Sequence, residues 1–167
     1  MKLVIVGCGR VGAAVALAFD RAGHQVIIVD RSTGAFDKLD STFKGTAVRG
    51  DGTDEDVLRR AGAEGADFFL ALTEGDNRNT LSAQLAAEAL GATHVVAKIN
   101  DPLRAAAYTD LGLATICRTD LMLDAILAWT GLATPTPRGI QTPTGQHPGG
   151  DHHDRTGPQA VRSGSEV

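Results

Sequence analysis

Three glycines at the spacing G-x-G-x-x-G, Gly7, Gly9 and Gly12, stand between two apolar runs, and an acid, Asp30, closes the second run eighteen residues after the last of them. The chemistry open to such a set is nucleotide binding. Gly7 permits a sharp turn out of a strand, Gly9 lets backbone N–H groups approach a pyrophosphate, and Gly12 lets the following helix pack closely on a sheet. The start of that helix faces the phosphates with about half a positive charge. Asp30 stands to accept hydrogen bonds from both ribose hydroxyls of an adenosine. A 2′-phosphate at about 4 Å would meet a repulsion on the order of 4 kcal/mol at an effective dielectric of about 20. NADP is therefore disfavoured, although Arg31 beside the acid offsets part of that cost. The glycine spacing alone carries little weight in a chain with 20 glycines, and its setting between strand, helix and second strand supplies the rest.

Those groups require a sheet to hold them. Strands are expected at Leu3–Gly7, Gln25–Asp30, Thr46–Asp51, Asp67–Thr73, His94–Asn100 and Leu113–Arg118, alternating with helical stretches. Most are continuous apolar runs, the mark of parallel strands covered on both faces. The fold class is therefore α/β: a Rossmann-like, doubly wound, parallel six-stranded sheet. The C-terminal strand ends of such a sheet line one crevice. Asp51 ends the third strand where adenine would lie, Thr73 ends the fourth, Lys98 lies near the end of the fifth, and Arg10 can lean over the phosphates. Each also has an ordinary use, as a turn or cap for Asp51 and Thr73 and as a solvated charge for Arg10 and Lys98. Cys8 and Cys117 lack metal-ligand spacing and read as packing residues.

Thr53 followed by Asp54, Glu55 and Asp56 caps one helix, and Asp101-Pro102 opens another. The last helix, Asp120 to Thr130, is apolar nearly all round, more than one buried face can satisfy, so at least a homo-oligomer through this helix is expected. Residues 1–131 form the nucleotide-binding domain. Residues 132–167 are rich in proline and glycine and read as a disordered polar tail, in which His147, His152 and His153 are solvated.

The 167 residues are 43% hydrophobic with a net charge of -4, which suits one globular domain and argues against nucleic acid as a partner. No apolar window is long enough to span a membrane and no leader pattern opens the chain, so a cytoplasmic protein is expected.

GCGRVG (Gly7–Gly12), Asp30, GDGTD (Gly50–Asp54), ALT (Ala71–Thr73) and VVAKINDP (Val95–Pro102), in that order, resemble the RCK, or KTN, domain, the nucleotide-binding N-terminal lobe of Trk- and Ktr-type potassium uptake regulators. The resemblance covers residues 1 to about 131. It implies that NAD(H), ATP or ADP binds as a regulatory ligand rather than as a hydride carrier, and that binding changes an assembly gating a membrane potassium transporter subunit. It further implies that Gly7, Gly9, Arg10, Val11 and Gly12 hold phosphates, Asp30 the ribose, and Asp51 with Gly52 the adenine, with Thr73 and Lys98 completing the site. Lys98 stands where the family more often has arginine, giving a point charge rather than a fork. The family's C-terminal lobe has no counterpart after Gly131, so a second RCK-type regulatory subunit is an expected partner. The protein would then sit in the cytoplasm, peripheral to the membrane through the transporter. Two further readings are an NAD-dependent oxidoreductase and a structural assembly subunit with a degenerate nucleotide site. The oxidoreductase needs a substrate domain or catalytic loop, which the short turns before Gly131 do not provide.

Overall fold

The computed structural model describes residues 1–132 and 139–143. Its centre is a pair of parallel strands, β1 (Lys2–Val6) and β2 (Gln25–Asp30), made of branched apolar residues on both faces. Leu3 and Ile5 pack with Val26 and Ile28 against α1 (Arg10–Arg21). Val4 and Val6 face the opposite way, with Ile27 and Val29, toward α2 (Glu55–Arg60) and α3 (Asp76–Glu88). Each such side chain taken from water contributes about 1.5–3 kcal/mol, so an unbroken apolar run requires a layer of chain on either side.

The sheet adds β3 (Thr46–Arg49), β4 (Phe68–Ala71), β5 (His94–Ile99), β6 (Thr115–Cys117) and β7 (Ile140–Gln141), in the order β3-β2-β1-β4-β5-β6-β7. The six expected strands are present and parallel. Among the described residues the sheet has seven strands rather than six, because Ile140 and Gln141 pair antiparallel with Ile116 and Thr115. They lie in the segment read as a disordered tail. A two-residue strand has no periodicity to betray it, and its formation rests on the exposed edge of β6. Residues 133–138 and 144–167 of that tail, His147, His152 and His153 included, lie outside the described residues.

From β1 the chain winds outward to β2 and β3, then returns to the other side of β1 as β4. Strand order reverses between β1 and β4, and the crevice beyond their C-terminal ends is where ligands of such sheets bind. Beyond β5, α4 (Pro102–Asp110) starts on Asp101, whose carboxylate accepts from the N–H groups of Leu103 and Arg104. The last helix, α5 (Arg118–Thr130), starts two residues earlier than expected and ends on Gly131 in the left-handed conformation. Its one buried residue is Asp120.

Helix α1 can approach β1 only because Gly12 has no side chain: a Cβ there would lie 2.0 Å from the Gly7 carbonyl oxygen. At Gly9, with ordinary backbone angles, a Cβ would meet nothing within 4 Å. Gly12→Ala should therefore overpack the turn, costing at least ~1–3 kcal/mol and several degrees of melting temperature, whereas Gly9→Ala should melt with the wild type. Differential scanning fluorimetry of the two variants checks the contrast.

Candidate nucleotide site

The glycine turn continues the sheet before it leaves it. The Gly7 N–H donates to the Val29 carbonyl at 2.8 Å, and Gly7 then turns with φ at +109°. A Cβ at that position would stand 2.9 Å from backbone atoms of Leu72 and Thr73, so the β1 and β4 turns are in contact. Gly9 is the N-cap of α1, no side chain accepts from the first N–H groups, and the first turn holds no acid. This helix start, unlike those of α2 and α4, has no carboxylate cap of its own.

Asp30 closes β2 with its carboxylate turned to the glycine turn. One oxygen accepts from the Cys8 N–H at 2.7 Å and the other from the Ser32 N–H at 2.9 Å. Two bonds leave lone pairs on a carboxylate that has about four acceptor sites, so it can hold the turn and still receive hydroxyl groups. Cys8 itself is buried, and its thiol donates to the Ala35 carbonyl at 3.3 Å. Burial, and next the Asp30 charge, push that thiol above its ordinary value, which keeps it protonated and inert.

Asp51 lies across from Asp30, beyond β3. Its Oδ1 accepts from the N–H of Thr53 at 3.0 Å and from its hydroxyl at 2.8 Å, and Arg31 approaches Oδ2 at 3.7 Å. Gly52 is pressed on Val6, where a Cβ would come within 2.1 Å of a methyl group, and the buried Ser82 hydroxyl donates to its carbonyl at 2.7 Å.

The opposite wall is set by Asn79, fully buried in α3. Its Oδ1 accepts from the Thr73 N–H (2.8 Å) and hydroxyl (2.7 Å), while its Nδ2 donates to the carbonyls of Thr73 (2.9 Å) and Lys98 (2.7 Å). Thus one amide brackets the ends of β4 and β5. One turn earlier, Asp76 holds only the residue after β5, accepting from the Asn100 N–H at 2.9 Å and from its side-chain amide at 2.8 Å. The Lys98 side chain is only 11% exposed and its ammonium stands 3.7 Å from the Glu74 carboxylate.

Two adjoining cavities result. The first, about 340 Å³, brings together Gly7, Gly9, Asp30, Arg31, Asp51, Gly52 and Thr73. The second, about 400 Å³, holds Gly9, Arg10, Val11, Gly12 and Lys98. All eleven residues singled out in the sequence therefore line one of the two, and Gly9 lines both. Among the described residues no group of three or more metal-ligating side chains converges, and no helix is long and apolar enough to cross a membrane.

A model of the TrkA-N domain family matches residues 3–119. The chain belongs to the TrkA-N family. Over 127 residues it is 44% identical to the Trk system potassium uptake protein TrkA of Streptomyces coelicolor, covering 76% of this chain and 57% of that relative's length. Among solved structures, the TrkA-N domain of the Escherichia coli inner membrane protein ybaL superposes with a TM-score of 0.68 at 17% identity, over 77% of this chain and 95% of that one. The Kef C-terminal domain of Shewanella denitrificans, solved in an AMP-bound form, gives 0.62 at 23% identity, over 81% and 84% of the two chains. At such identities these structures speak for the fold, and they agree with the Rossmann-like sheet of this TrkA-N domain.

Several residues around the TrkA-N crevice had no signal strong enough to find from sequence. Glu74 borders both cavities, Lys38 and Arg78 line the first, and Arg118 lines the second. They come from separate elements, and no motif links them. For Asn79 a signal existed: asparagine is a poor residue for a helix interior and stays there when its amide has backbone partners.

The Thr53 backbone and hydroxyl bonds, followed by the charges of Arg31 and Arg78, hold the Asp51 carboxyl below the usual carboxylate range. A lowered folded value means that its stabilisation is complete above the unfolded value, about 3.9, and is lost as pH falls through the folded value. Asp51→Asn should thus melt below the wild type at pH 7, and the two melting curves should converge below about pH 4. Thermal melts from pH 7 to pH 2.5 check this.

Proposed function

We propose that this chain is the nucleotide-sensing part of a potassium uptake regulator, binding an adenine nucleotide, NAD(H), ATP or ADP, as a ligand that controls a membrane transporter subunit. The observation that carries the reading is the convergence of the uncapped α1 start, Asp30 and Asp51 on one cavity at the strand-order reversal. In this reading the glycine turn holds phosphate, Asp30 the ribose, and the Gly52 wall the adenine, with Thr73 and Lys98 closing the far side. The name of the S. coelicolor relative and the AMP held by the Kef domain support it. The nucleotide acts by shifting populations of an assembly, which requires that it bind two arrangements differently.

The surface that would carry that assembly is α5. Met122, Ile126 and Trp129 are 61%, 53% and 87% exposed, with Leu121 beside them. A patch of this kind is seldom left in water by a soluble chain, so α5 pairs with α5 or with a neighbouring lobe. The chain spans 57% of its S. coelicolor relative, and a second RCK-type regulatory subunit is a further partner in this reading. The site of action is the cytoplasmic side of the membrane.

Two experiments test the reading. By calorimetry, ATP or NADH should bind the wild type, and Asp30→Ala should weaken it by about 1.5–3 kcal/mol through loss of charge-assisted bonds. Unchanged affinity in a folded variant removes the ribose assignment, and sustained NADH oxidation with a panel of carbonyl compounds would favour a dehydrogenase instead. In analytical ultracentrifugation the wild type should sediment as at least a dimer at tens of micromolar, and Trp129→Glu or Ile126→Glu should shift it toward monomer. A monomeric wild type overturns the α5 interface.

A further inference from the structure

Little holds β7 where it lies. Its two residues pair with Ile116 and Thr115 at the edge of β6, and the Gln141 side-chain amide donates to Oδ2 of Asp120, the buried residue of α5, at 3.5 Å. Ile140 is 54% exposed, so little apolar burial adds to those bonds. A pairing this short is marginal by itself. What it covers is nevertheless specific: the backbone edge of β6 and the root of α5, the helix whose apolar face is turned outward.

The path to β7 within one copy is tight. Helix α5 begins at Arg118, directly after β6, and its 13 residues carry the chain about 20 Å from that root. β7 starts opposite Ile116, back at the root. The chain between Leu132 and Gly139 can reach at most about 25 Å, so the return to its own β6 uses most of that reach. Two α5 helices related by a two-fold axis across them run antiparallel, with opposed dipoles, about 8–10 Å apart. The end of each then lies beside the root of the other. From there β6 of the second copy is nearer than β6 of the same chain, and the hydrogen bonds open to β7 are identical in the two places.

Resting on the α5 pairing proposed above, we infer that the β6 edge is a docking site for β7 of a second copy of this chain, so that two protomers exchange their C-terminal straps. Each inserts Ile140 and Gln141 at the edge of the other's sheet. The exchange costs no native contact and relieves a short connection, the condition under which identical elements swap. It is reciprocal, and therefore closes on two copies. A single pair of 13-residue helices is a small interface, and the exchange adds main-chain hydrogen bonds and the contact of Gln141 with Asp120 at each end of it.

The test is disulfide trapping in the full chain, with Ile116→Cys joined to Ile140→Cys in one variant and Thr115→Cys joined to Gln141→Cys in another. Opposed residues of antiparallel strands lie about 4.5–5.5 Å apart at Cα, within the range a disulfide spans. Each variant is oxidised at a concentration where sedimentation shows the dimer, then run on a non-reducing gel, and peptide mass spectrometry identifies the bond and sets aside any formed by Cys8 or Cys117. At least one variant should run mostly as a covalent dimer joined through the introduced pair. A dimer in solution whose introduced bond closes within one chain overturns the exchange and leaves the α5 pairing intact. Absence of the bond from both variants overturns it too, since β7 then occupies the β6 edge of neither copy. A wild type that sediments as a monomer overturns the α5 pairing and the exchange with it.

Discussion

The contact of Gly12 with the Gly7 carbonyl governs this structure, because it sets how near α1 comes to β1 and hence where the helix start points. With a methyl group at 2.0 Å from that oxygen the helix would have to move off the sheet. The displaced N-terminus would no longer stand over the crevice, and Asp30, which reaches the turn through the Cys8 N–H, would lose its partner. One absent side chain thus decides the placement of a dipole, an acid and a cavity together.

The other half of the crevice is fixed by polar groups in buried places. Asn79 spends its whole hydrogen-bonding capacity on the chain ends of β4 and β5, and Asp76 binds the residue after β5. A buried amide with every lone pair and proton engaged is a rigid spacer, since any shift of one strand end leaves a polar atom unsatisfied. Strand ends that would otherwise fray are held at a fixed separation, and the residues projecting from them keep their positions. Apolar packing sets the sheet, while amide geometry sets its rim.

Fold and crevice were legible in the sequence to different depths. Apolar runs such as Leu3–Val6 and Val26–Val29 can be covered only in a layered sheet, and the glycine turn with Asp30 is a local pattern whose parts follow one another along the chain. Their meaning survives without knowledge of what packs where. Glu74, Arg78 and Arg118 were not legible, because their role depends on which elements adjoin across the crevice and each alone is an ordinary surface charge. Residues 140–141 were missed for a related reason: their strand state is dictated by the β6 edge and not by their own composition. The expectation of an all-round apolar last helix was sound as a pattern, and the structure adds that the apolar face is turned outward.

The seventh strand bears on how copies of this protein can meet. A sheet ending in an unpaired strand invites another chain to continue its ladder, a route to open-ended fibres. Here the β6 side is closed by a two-residue antiparallel strap, and the opposite end stops at the four-residue β3, which carries Arg49. Neither end offers a long flat template. Growth by sheet extension is therefore discouraged at both ends of the sheet as the described residues form it.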